Sequence, residues 1–205
     1  MPETGITSFR KQFLALARKR LRPGSGSSLL FLDQRTWTFP VINLNAILPK
    51  KSFVIVGGVA TRLYMPERFT LDLDILISNE SSDLIYACLT KAGAEEIGIL
   101  SVGERQWKFS DNTLLDVLEF DDPWVTDALQ NPQFSPDGLP VIALPYLVLM
   151  KMQANRAQDL ADISRMLGAA DDKDLEAVRK AIQCHLPGDS EDLESLILLG
   201  KMERQ

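Results

Sequence analysis

Asp72 and Asp74 stand two residues apart in the segment Leu71–Ile77, which is otherwise Leu and Ile. On a β-strand such residues share a face, and at about 3.3 Å per residue their Cα atoms lie about 6.6 Å apart. Two carboxylates on one face repel each other unless something positive sits between them. On a strand this apolar the plausible partner is a divalent metal, and all-oxygen ligation suits Mg²⁺ or Mn²⁺. Asp116 interrupts a second apolar run, Leu114–Leu118, and joins the pair if the two strands are neighbours. Three such carboxylates can hold two metals about 3.5–4 Å apart, the arrangement that stabilises attacking and leaving oxygens in phosphoryl or nucleotidyl transfer. Glu119 follows on the same run, but alternation puts it on the opposite face from Asp116.

Gly57-Gly58 follows the apolar run Phe53–Val56. A strand-to-helix turn with two glycines lets backbone approach a ligand closely, and N–H groups at a helix start favour anionic phosphate. It is neither a P-loop nor a dinucleotide fingerprint, because no Gly-Lys-Ser/Thr follows and the third glycine is missing. Other chemistries are poorly supplied. His185 is the only histidine, which argues against a Ser-His-Asp triad or a multi-histidine metal site. Cys88 and Cys184 are too few for a disulfide framework and read as reduced thiols of a cytoplasmic protein.

These residues need strands and turns to hold them. Phe53–Val56 reads as a strand turned by the glycine pair into a helix near Val59–Tyr64. Leu71–Ile77 is a second strand, and Leu84–Lys91 a helix ended by Gly93. Strands follow at Gly98–Val102, Gln106–Phe109 and Leu114–Phe120, the last two joined as a hairpin by Asp111-Asn112. Residues 121–140 carry four prolines and read as irregular. Helical patterns then run over 145–154, 156–168, 172–184 and 189–201. This order predicts an α/β (α+β) fold, a mixed sheet flanked by helices with a helical C-terminal part. The expected divisions are 1–38, a basic helix over 8–22 with a Gly/Ser-rich loop, then a core over 39–144 and a helical region over 145–205.

Of the 205 residues, 45% are hydrophobic and 24% charged, the balance of a globular protein. The longest strongly apolar stretch, Val141–Met150, contains Pro145 and is far short of the ~20 residues of a membrane span. The net charge of −6 conceals an asymmetry: nine Lys/Arg against two acids over 1–51, and 13 against 26 thereafter. The main body is therefore no generic polyanion binder. The basic helix reads either as an RNA or nucleotide contact or as an amphipathic helix with one solvated face.

The glycine pair, thirteen residues, Asp-x-Asp between apolar residues and a later lone Asp resemble the nucleotidyltransferase superfamily related to DNA polymerase β. The wording Gly-Gly-x-Ala, then Arg68-x-Thr70-x-Asp72-x-Asp74, is similar to the AbiEii/AbiGii-type toxin nucleotidyltransferases. Lys151, Arg156, Asp159 and Asp162 resemble that family's helical motif, so the likeness covers about residues 50–167. It implies a Mg²⁺- or Mn²⁺-dependent transfer of NMP from an NTP to a hydroxyl of a tRNA 3′ end, a protein or a small molecule. A role as the toxin of a toxin–antitoxin pair, with a cognate antitoxin as partner, comes with the same likeness. Asp72, Asp74 and Asp116 would be the catalytic metal ligands, with Asp116 as or beside the base. Gly57, Gly58, Arg68, Thr70 and Lys151 would contact the nucleotide. Gly58 stands where many members have Ser, and Gln158 where relatives often have Lys. The competing reading is a catalytically silent nucleotide- or partner-binding module of the same fold.

Overall fold

The computed structural model describes residues 42–66, 73–101 and 104–204. The basic helix expected over 8–22 and the residues Arg68, Thr70 and Asp72 lie outside these ranges. Described residues fall into a sheet unit, 42–63 and 73–143, and a helical unit, 64–66 and 144–204.

In the sheet unit, seven strands form one mixed sheet: β1 (Val54–Val56), β2 (Leu73–Ser78), β3 (Glu95–Ser101), β4 (Glu104–Lys108), β5 (Leu114–Phe120), β6 (Gln133–Phe134) and β7 (Pro140–Val141). Their order is β3-β4-β5-β2-β1-β7-β6. β2 runs antiparallel to β1 and parallel to β5, and β4 is antiparallel to β5. Val54, Ile55 and Val56 are buried in succession, as are Ile75, Leu76 and Ile77. Such unbroken apolar runs mark strands covered on both faces, which is why β1 and β2 lie inside the sheet.

Helix α1 (Gly57–Ala60) starts directly on the glycine pair and passes into a 3₁₀ turn over Thr61–Leu63, an earlier and tighter element than the helix expected near Val59–Tyr64. The Thr61 hydroxyl donates to the Gly58 carbonyl at 2.7 Å and fastens this turn. Helix α2 (Ser82–Lys91) buries Ile85 and Leu89, one turn apart, and its Tyr86 stacks on Trp107 of β4 with ring centroids 5.5 Å apart. Gly93, at φ 82, ends the helix region in the left-handed conformation. β3 then begins at Glu95 rather than Gly98. The acidic pair Glu95-Glu96 hides its start from a hydrophobic pattern, and register shifts at Glu96/Gly98 and Ile99/Ser101 break its alternation.

Residues 121–140 are more regular than expected. Pro123 opens helix α3 (Pro123–Gln130) in the first turn, where its fixed φ helps and its missing N–H costs nothing. Trp124, Val125, Ala128 and Leu129 are its buried residues, at helical spacing. The prolines had masked that period.

In the helical unit, α4 (Leu144–Ala154) carries Pro145 in its first turn and meets α5 (Ala157–Ala169) through Asn155 at φ 54. Asp171 caps α6 (Asp172–His185), its carboxylate accepting from the Asp174 N–H at 2.8 Å. Helix α7 (Ser190–Glu203) lies backbone to backbone on α5. A Cβ on Gly200 would stand 1.9 Å from the Ser164 carbonyl oxygen, and one on Gly168 would stand 2.4 Å from that of Gly200. No described helix is long and apolar enough to cross a membrane.

Candidate functional site

The parallel register of β2 and β5 sets Asp74 directly beside Asp116. In-register neighbours on adjacent strands share a face, so both carboxylates rise from the same side of the sheet. The strands stand about 4.8 Å apart, and at an effective dielectric of about 20 two charges that close repel by about 3 kcal/mol. Asp116 is only 7% exposed and Asp74 half-buried, so water relieves this repulsion poorly. Packing alone does not ask for such a pair between Leu73, Ile75, Leu115 and Val117, all buried.

The antiparallel register of β1 and β2 places Val56 opposite Asp74. The next residue, Gly57, has φ 62, and a Cβ there would lie 1.9 Å from Asp74 Oδ2 and 2.6 Å from its Cγ. Two independent demands therefore fix glycine at this position: a left-handed backbone and a carboxylate against its Cα. Gly58 is buried in the first turn of α1. Because α1 is a single turn, its offering to an anion is local N–H groups rather than a macrodipole.

Gln106, which the motif reading passed over, completes the cluster. It sits opposite Asp116 on β4 and donates from Nε2 to Asp116 Oδ1 at 2.8 Å. Counting back from a two-residue Asp111-Asn112 turn pairs Trp107 with Asp116; Phe109 N–H bonds the Thr113 carbonyl instead, so the loop has three residues, 110–112, and Gln106 takes that place. Glu119 is placed apart. It shares a register with Ile77, accepts a hydrogen bond from the Tyr86 hydroxyl and lies 3.4 Å from Arg105 Nε. Burial and the Glu119 carboxylate push the Tyr86 phenol well above its ordinary range.

Carboxylate oxygens are hard donors, and Asp74 with Asp116 suits Mg²⁺ or Mn²⁺ better than a softer ion. Among the described residues no group of three His, Cys, Asp or Glu is placed to hold a metal. Asp72, the third carboxylate expected, lies outside them, as do Arg68 and Thr70.

Lys151 belongs to the helical unit. Its Nζ lies 2.8 Å from Asp159 Oδ1 and 2.9 Å from Asp162 Oδ2, with the side chain 6% exposed. Arg156 Nε donates to Asp159 Oδ2 at 2.6 Å, and Gln158 Nε2 to Asp162 Oδ1 at 2.9 Å. Burial works to raise the Asp159 carboxyl, but the hydrogen bonds from Arg156 and Lys151 prevail and hold it below the usual carboxylate range. The four residues of the helical motif thus form one network with balanced charge, in which Lys151, Asp159 and Asp162 are buried and Arg156 reaches Asp159 from an exposed position. Contact between Lys151 and a nucleotide phosphate would need the ammonium to share or release one of these carboxylates.

No family model matches the chain, and no curated protein matches it. Solved structures similar to it include ANT(2'')-Ia in complex with adenylyl-2''-tobramycin, at 17% identity and a TM-score of 0.41, over 75% of this chain and 89% of that one. The antibiotic-resistance factor ANT(2'')-Ia in solution matches at 18% identity and a TM-score of 0.39, over 73% of this chain and 82% of that one. Overlap this loose assigns no activity to the chain; what the site can do rests on its own residues.

Proposed function

We propose that the chain is a Mg²⁺- or Mn²⁺-dependent nucleotidyltransferase that moves NMP from an NTP to a hydroxyl acceptor. The observation that carries this reading is the register that sets Asp74 beside Asp116 on adjacent parallel strands. The Gly57 backbone lies against Asp74, so the glycine turn whose N–H groups would face a phosphate and the carboxylates are built from one turn and one strand pair.

In this reading Asp72, Asp74 and Asp116 hold the metal, which when bound would offset triphosphate charge and favour in-line displacement at phosphorus. Gly57 and Gly58 present backbone N–H groups to the phosphates, and Arg68 and Thr70 contact the nucleotide. Lys151 joins them by sharing its ammonium with a phosphate or by releasing a carboxylate. Asp116 accepts the proton of the acceptor hydroxyl as that oxygen bonds to the α-phosphorus. The bond from the α-phosphorus to the oxygen bridging it to the β-phosphorus breaks, and pyrophosphate leaves. Most of the rate enhancement comes from positioning and electrostatics, which rigid central strands supply well.

The test is to incubate the purified chain with each labelled NTP, Mg²⁺ and cell extract. Transfer of label and release of pyrophosphate, both lost in Asp74→Ala and Asp116→Ala, is the expected outcome. A tRNA, a protein or a small molecule carrying the label names the acceptor class. Growth arrest on expression, relieved by a co-expressed partner, would mark a toxin with its antitoxin. Nucleotide binding without pyrophosphate release from any extract would replace the proposal with the silent binding module.

A further inference from the structure

We infer that Gln106 is a positioning residue for Asp116, which extends the site to a third strand, β4; the inference rests on the proposed nucleotidyl transfer. The backbone pairs Gln106 with Asp116 across the β4–β5 ladder, so the two side chains rise together on one face. Nε2 donates to Asp116 Oδ1 at 2.8 Å, and Asp116 is 7% exposed. An ionised carboxylate can only accept hydrogen bonds, so the amide must turn its NH₂ toward it.

The residue type matters. The terminal torsion of an aspartate is broad, so an unsupported carboxylate samples a range of planes. The bond from the half-buried Gln106 amide, itself set by the ladder, restrains that plane. Being neutral, Gln106 does so without cancelling the negative charge that a divalent cation requires. An Arg or Lys at this place would form an ion pair and compete with the metal. Partners that orient metal-binding carboxylates commonly alter metal affinity 10–100-fold when removed. The strand-to-strand hydrogen bonds of β4 and β5 are made by the backbone and do not need this amide.

The experiment uses the full chain and Mn²⁺ alone, followed by electron paramagnetic resonance, with NTP turnover as a second readout. Gln106→Leu should weaken Mn²⁺ binding about tenfold and lower kcat, with KM for the NTP changing less than about twofold. Gln106→Asn, which keeps an amide on a shorter stem and guards against a variant that fails to fold, should fall between wild type and Gln106→Leu. In an Asp116→Ala background Gln106→Leu should change Mn²⁺ binding no further, because its effect passes through that carboxylate. Wild-type Mn²⁺ affinity in Gln106→Leu, with Asp116→Ala clearly weakened, would overturn the positioning role and leave the proposed function standing. Asp116→Ala binding Mn²⁺ as tightly as wild type would bring down the metal-site reading, and this inference with it.

Discussion

At the residue scale the site is a conflict between charge and packing, and that conflict made most of it readable. A carboxylate inside an apolar strand is costly unless it is used, so Asp74 and Asp116 stood out by type alone. Their adjacency depended on β2 lying beside β5, a pairing between residues 42 apart in the chain that no local pattern fixes. Gly57 was visible as a turn glycine, but its contact with Asp74 follows from the β1–β2 register and could not be read from spacing. We predict that Gly57→Ala costs about 1–2 kcal/mol for the left-handed backbone and disables the site far more severely. The new Cβ must displace the Asp74 carboxylate, and a misplacement of about 1 Å can cost about 100-fold in rate. Pyrophosphate release together with urea unfolding checks this; normal turnover in a destabilised Gly57→Ala protein would refute it. Asp74→Asn should abolish transfer while the metal-free unfolding temperature holds or rises by a few degrees, since one of two neighbouring charges is gone. A fall of the same size would show Asp74 to be needed by the fold itself.

At the element scale, periodicity found the long elements and failed where chemistry overrode it. Helices α4 to α7 begin and end within two residues of the expected bounds because their buried apolar residues recur at helical spacing. Helix α3 was hidden by prolines and the start of β3 by Glu95-Glu96. The helical motif shows a different gap: the i,i+3 spacing of Arg156 and Asp159 already offers their ion pair, but the commitment of Lys151 to both Asp159 and Asp162 was not legible. That commitment has a consequence for stability. Asp159 ionises more readily in the folded chain than an ordinary carboxyl, so it contributes stability above the unfolded value of about 3.9, lost as the pH falls below it. Lys151→Met should cost about 3–5 kcal/mol at neutral pH by leaving two buried carboxylates without their ammonium. The pH dependence should also weaken. In the variant Asp159 keeps the Arg156 hydrogen bond but loses the one from Lys151, so burial offsets more of the lowering and less stability is lost as the pH falls toward 3.5. Denaturant titrations at pH 7, 5 and 3.5 on both proteins decide it; parallel pH profiles would show that the ammonium is not what holds these carboxylates.

At the scale of the whole molecule, charge separates the acceptor classes. The residues after 51 carry 26 acids against 13 bases, a field that opposes a nucleic acid, whereas the first 51 carry nine bases against two acids. An RNA acceptor would therefore have to be gathered by the basic segment, through Arg10, Lys11, Arg18, Lys19 and Arg22. Each phosphate neutralised there adds about 0.7–0.9 to the slope of log affinity against log salt, so reversing these charges would weaken association and flatten the slope. NTP affinity should be unchanged, because the glycine turn and the carboxylates that serve it in the proposed reaction are other residues. We expect the variant with all five reversed to keep both its slope and its turnover. The apolar residues Phe9, Phe13, Leu16 and Leu21 recur at helical spacing, and an amphipathic helix needs its basic residues only as a solvated face. Measuring acceptor affinity at low and moderate salt, for wild type and variant, separates the two. A flattened slope with unaltered NTP binding would make this segment the RNA guide and the acceptor a nucleic acid, while an unaltered slope directs the search to proteins and small molecules.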